Sequence, residues 1–172
     1  MSPKHSPAKF EHYLQSHQNN LEQFYQEGFV CCDTLSFEDF GEFVELKGEI
    51  GCIGGIIISV CKVIEYVDEE HVQTCSYAYN VRKLNKGTWF RYDDAHAHEG
   101  HSDEHHKDVY DPETGVKELS EWVGENDWPH LSDVIREAQE FAYKNKHLLD
   151  DPSECVDQTS LSDDPCRHLS NS

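Results

Sequence analysis

Basic residues are scarce. Fourteen Lys and Arg stand against 34 Asp and Glu, a formal charge of −20. Such a surface repels polyphosphate at long range, which argues against a general nucleic-acid binder. Long apolar runs are absent too: nothing approaches the roughly 18–20 residues of a membrane-spanning helix, so no membrane partner is expected. The first nine residues hold no apolar core of a leader, so no secretory signal and a cytoplasmic location are expected. The seven cysteines form no CxxC pair and are odd in number. That argues against a disulfide scaffold or a cysteine zinc site and for small buried hydrophobes in a reducing cytosol. A glycine-rich phosphate loop is lacking, since Gly54-Gly55 has no following Lys or helix signal. No repeat is visible. A mean hydropathy of −0.75 permits a compact core only if part of the chain stays outside it.

What is present divides the chain into three. Residues 1–40 read as a helix and a connector. Phe10, Tyr13, Leu14, His17, Leu21, Phe24 and Tyr25 share one stripe over 9–27, and Gly28 is a natural stop. Residues 41–148 read as a sheet, a His-rich loop and a closing helix. Alternation over 43–50, an Ile/Val-rich run over 56–67, and strands over 72–82 and 88–92 are separated by short polar or Gly turns. Residues 93–127 read as a long loop over one end of the sheet. Leu131, Val134, Ile135, Ala138, Phe141 and Ala142 mark the last helix. Residues 149–172 read as a disordered acidic tail. The expected fold is α+β: an antiparallel four- to five-stranded meander packed with an N-terminal and a C-terminal helix.

The chemistry-bearing residues concentrate after the fourth strand. His96, His98, His101, His105 and His106 lie within eleven residues, just past Arg91 and Asp93. Three readings compete. As a metal site, His96, His98 and His105 would ligate a divalent transition metal such as Zn, with Asp93 or Asp94 as carboxylate, although no known spacing is matched well. As a metal-free phosphodiester site needing no cofactor, His96 or His98 would be the base and His105 or His106 the acid. Arg91 and Lys107 would then clamp phosphate, Asp93 would orient a histidine, and Tyr92 or Tyr110 would assist. As a solvated loop, the same residues would only pair with each other. Glu45, Glu49 and Glu65 read as outward-facing, and Tyr77 and Tyr79 as core. Trp89 and Phe90 read as opposite in facing, one of them core.

The stretch Phe90-Arg91-Tyr92-Asp93-Asp94-Ala95-His96-Ala97-His98, with His105-His106-Lys107-Asp108 and the helix over 131–146, resembles the TumE-like toxin family of prokaryotic toxin–antitoxin systems. The resemblance covers roughly 43–146. Three departures stand out: Asp94 in place of an asparagine, Ala97 between two histidines usually adjacent, and Asp108 in place of a final histidine. The resemblance implies a growth-inhibiting toxin with a cognate antitoxin protein. The residue types point to a ribonuclease with RNA as substrate. The alternative is a non-enzymatic metal-binding or protein-interaction module of a salt-adapted cytosol. High salt would reconcile the acidic surface with RNA, because at ~1 M the Debye length shrinks to about 3 Å. A local basic patch of Lys83, Lys86, Arg91 and Lys107 would do so as well.

Overall fold

The computed structural model describes residues 4–94 and 105–166. Its elements are β1 (Ala8–Lys9), α1 (Phe10–Gln26), β2 (Val30–Asp33), β3 (Ser36–Asp39), β4 (Phe43–Cys52) and β5 (Ile56–Tyr66). They continue with β6 (His71–Lys83), β7 (Thr88–Asp93), β8 (His106–Tyr110), β9 (Lys117–Trp122) and α2 (Leu131–Lys144). The broad α+β class stands, but the four- to five-stranded sheet does not. The described residues form one nine-stranded antiparallel sheet in the order β2-β4-β5-β6-β7-β8-β9, with β3 also on β4 and β1 on β6. Four of the extra strands lie where polar composition hid them. The short β2 and β3 lie end to end along one edge of β4, and β8 and β9 fall inside the stretch read as a loop over 93–127. β9 is exposed along its whole length, so it carries no burial alternation to read.

Gly48 lets β2 and β3 share one partner. The turn between them crosses β4 there, with Thr34 N donating to Glu49 O at 2.9 Å. A Cβ at Gly48 would lie 2.6 Å from the Thr34 carbonyl oxygen, and its φ of +143° is one that side-chain-bearing residues avoid.

The even-numbered side chains of β4 and β5 meet the helices. Val44, Leu46, Ile50, Ile56, Ile58, Val60 and Ile64 are all fully buried there. Each such side chain contributes about 1.5–3 kcal/mol by leaving water. α2 packs Val134, Ile135, Ala138 and Ala142 on this face, and α1 adds Phe24. Tyr77 and Tyr79 are core, as expected. Trp89 and Phe90 are both core, which corrects the expectation of opposite facings. A bulge puts Val81 opposite Phe90 and Arg82 opposite Thr88, so Trp89 is an extra residue.

The opposite face is covered by the C-terminal segment. The expected disordered tail over 149–172 is corrected for residues 149–166. Cys155 bridges Ile53, Val156 is buried, and Ser162 N donates to Glu49 Oε1 at 2.7 Å. Disulfides Cys31–Cys155 and Cys61–Cys166 tie it down, with sequence separations of 124 and 105. Cys32, Cys52 and Cys75 are free thiols. The expectation of seven reduced cysteines is therefore overturned. The partners are too distant in sequence for spacing to reveal them. No helix among the described residues is long and apolar enough to cross a membrane.

Candidate functional site

Strand alternation and pairing build the site. In the β7–β8 pair, Arg91 faces Asp108 and Asp93 faces His106 across the strands. All four side chains point away from the helices, and each is less than a tenth exposed. Arg91 Nε donates to Asp93 Oδ2 at 2.7 Å, and His106 Nε2 lies 3.1 Å from Asp93 Oδ1. Asp108 Oδ2 is 3.7 Å from the same imidazole nitrogen. Its other oxygen accepts from Ser120 Oγ at 2.8 Å and pairs with Lys117 Nζ at 3.2 Å. A histidine held between two carboxylates, with a guanidinium on the first, is fixed in orientation by those partners.

A second polar group adjoins it on the same face. Glu49, expected as solvated, is 2% exposed. It accepts from Ser59 Oγ at 2.5 Å, Arg82 Nη2 at 3.2 Å and Ser162 N at 2.7 Å. A cavity of about 720 Å³ lies between the groups, and Arg82, Lys86, Arg91, Thr88 and Tyr110 help to line it. The C-terminal segment forms one wall through Leu161 and Ser162. The expected basic patch is only partly assembled: Lys86 and Arg91 reach the cavity, while Lys83 is buried against Asp150 at 2.7 Å.

The remaining sequence candidates are separated from this face. Lys107 points to the helix side, paired with Glu137 of α2, where the Tyr92 hydroxyl also donates to Glu137 at 2.7 Å. Burial, then the bond to Glu137, pushes the Tyr92 pKa up. Alternation alone forces this split, since Lys107 sits between His106 and Asp108 on one strand. His105 precedes β8, shares a 2.9 Å hydrogen bond with the Tyr77 hydroxyl and stacks on Trp128 at 5.3 Å. Asp94 accepts from Tyr77 N and Ser76 Oγ, each at 3.2 Å, and burial raises its pKa. His96 and His98 lie outside the described residues. Of the proposed metal triad, only His105 is therefore placed. Among the described residues no group of three His, Cys, Asp or Glu is arranged to hold a metal ion.

The chain matches no family model, no curated protein and no solved structure.

Sequence reasoning missed Glu49, Ser59 and Arg82, and on the other face Lys62 with the histidines around it. Glu49 alternates like any half-exposed strand residue, and its burial depends on partners distant in sequence, Ser162 of the C-terminal segment among them. A single signal was available: Lys62 interrupts an otherwise apolar run, Ile56 to Ile64, on the face that carries Ile58, Val60 and Ile64.

Proposed function

We propose that this chain is the toxin of a toxin–antitoxin pair and that it cleaves RNA without a metal, at the face formed by Arg91, Asp93 and His106. The observation that carries the reading is the buried His106–Asp93–Arg91 line, whose Arg91 end reaches a cavity that Arg82 and Lys86 also line. Phosphodiester transfer needs a base for the attacking hydroxyl, positive charge for the phosphate and an acid for the leaving oxygen. His106 is assigned as the base, and Asp93 Oδ1, 3.1 Å from its Nε2, orients the imidazole. Arg91 and Arg82 supply fixed cations, and their planar guanidinium groups suit phosphate. Tyr110, lining the same cavity, is assigned as the proton donor. Lys107 is left out of this assignment, because it lies on the other face with Glu137.

The partner proposed is an antitoxin protein docking along β9. That strand ends the described sheet and is exposed throughout, with Leu119 and Trp122 each about half exposed.

The experiment is induced expression of the wild type and of His106→Gln, with RNA recovered from the cells. Arrest and RNA cleavage by the wild type alone, persisting in purified protein with a chelator, is the expected result. A soluble, folded His106→Gln protein that still arrests growth overturns the site. Absence of arrest by the wild type overturns the toxin reading.

A further inference from the structure

On the helix face, remote from the site above, a cleft of about 390 Å³ opens between α1, α2 and the end of the sheet. Its lining holds four histidines, His5, His12, His17 and His130, and two lysines, Lys4 and Lys62. Among the described residues no aspartate or glutamate lines it, in a chain with 34 acids. That composition is opposite to the rest of the molecule.

Lys62 is the unusual member. It belongs to β5, is 8% exposed, and stands on the core face between Val60 and Ile64. Among the described residues it has no carboxylate partner; its neighbours are the phenols of Tyr13, whose ring centre lies 5.0 Å from its Nζ, and Tyr79. Burial works to lower its pKa, while the phenols of Tyr79 and Tyr13 work to raise it, and the net direction is upward. A buried ammonium without a carboxylate is costly, and the usual remedy is a partner. Lys4, at the other lysine position, already pairs with Asp133 at 3.2 Å.

The surrounding groups suit an anion with an apolar body. Tyr13 and Thr74 hydroxyls lie 3.2 Å apart at the wall, and Leu21, Val72 and Ile135 supply apolar surface. The first residues of α2, Leu131 and Ser132, also line the cleft, and the Asp133 carboxylate caps that helix end by accepting from His130 N at 2.9 Å. His5 and His17 are held down to about 4, chiefly by burial, and His130 is lowered by burial as well. They are thus neutral donors and acceptors at pH 7, and of the two lysines among the described lining residues Lys62 is the one without a carboxylate partner. One fixed charge matches one negative charge.

We infer that this cleft is a binding site for a small organic monocarboxylate, whose carboxylate pairs with Lys62 while its apolar part rests on Leu21, Val72 and Ile135. The volume is within the range of small-ligand sites. The site stands independently of the ribonuclease reading, since it shares no residue with it.

The test titrates the full chain with benzoate, its neutral isostere benzamide, and inorganic phosphate, by calorimetry and by the imidazole resonances of His17 and His130. Benzoate should bind and shift both resonances, and benzamide should bind at least about tenfold more weakly, as expected when a charged hydrogen bond is lost. Lys62→Met, which keeps length and removes charge, should erase that preference and leave the growth phenotype unchanged. Equal binding of benzoate and benzamide by the wild type overturns the inference, and this comparison stands even if Lys62→Met fails to fold. Stronger binding of phosphate than benzoate also overturns it, by assigning a multivalent anion instead. No shift of either histidine at millimolar benzoate overturns it outright.

Discussion

His106 Nε2 stands 3.1 Å from Asp93 Oδ1, and the two residues are cross-strand partners in the β7–β8 pair. Neither is near the other in sequence. The bulge that inserts Trp89 sets the phase of β7, so that Arg91 and Asp93 point away from the helices. A register slip of one residue would deliver Lys107 to Asp93 instead.

Asp93→Asn is expected to cost stability as well as activity. It leaves Arg91 without the carboxylate it bonds at 2.7 Å, at a position where Asp93 is 1% exposed. Breaking a buried pair on one side costs about 3–5 kcal/mol. Urea unfolding should show a lower midpoint with an unchanged slope. A midpoint equal to the wild type would mean the pair is not desolvated.

Lys107→Met should behave differently. Its partner Glu137 is partly exposed, and pairs of that kind contribute roughly 1 kcal/mol or less. Growth arrest should be retained, with only a small fall in the melting temperature. Loss of arrest in a folded Lys107→Met protein would return Lys107 to the phosphate-clamping role.

The disulfides should dominate the response to reductant. Each closes more than a hundred residues, and the chain-entropy contribution is about 4–5 kcal/mol. Alkylation of the denatured, unreduced protein should label three thiols, Cys32, Cys52 and Cys75. Reduction should lower the melting temperature and open residues 150–166 to protease. A reducing cytosol opposes such crosslinks. Counting thiols in protein taken directly from arrested cells therefore tests the proposed cytoplasmic action; seven labelled thiols would show that the crosslinks are not needed for it.

Acid should weaken the helix face first. The folded-state pKa values of His5 and His17 are about 4, against 6.5 for an ordinary histidine, with burial the main cause. The unfolded chain therefore binds more protons between pH 6.5 and 4, and stability falls as pH drops through that window. Glu27, lowered from 4.5 to about 2 by its bonds to Arg136 and then Gln23, adds a further loss only as pH falls from about 4.5 to 2. The urea midpoint followed from pH 7.5 to 4.5 should decline, and His17→Leu should flatten the decline. An unchanged slope in that variant would show that His17 titrates normally.

Gly48→Ala should be among the most damaging single changes. The added carbon meets the Thr34 backbone at 2.6 Å, where no side chain can rotate away, and φ is +143°. A loss on the order of 3 kcal/mol is expected from the strain. Gly87→Ala, with nothing within 4 Å, is the control and should be nearly neutral by thermal melting.

Much of the scaffold was legible from local pattern. The stripe from Phe10 to Tyr25 places α1, the alternation from Phe43 to Ile50 places β4, and the apolar stripe from Leu131 to Ala142 places α2. Arg91, Asp93 and His106 were legible as reactive types. Their assembly into one array, with His105 and Lys107 diverted elsewhere, was not. That required the register of β8, a strand whose sequence His-Lys-Asp-Val-Tyr has almost no apolar alternation.

Sequence by itself determined the helices, the central strands and the acidic surface, because these depend on periodicity and composition within a few residues. Tertiary structure alone decided the width of the sheet, the two disulfides, the burial of Glu49 and the isolation of Lys62. Each of these depends on which distant segment comes to lie alongside. Residues 157–166 cover Glu49 from more than a hundred positions away, and α1 and α2 enclose Lys62 from opposite ends of the chain. Contacts at that separation are set by the packing of the whole chain, and no local pattern records them.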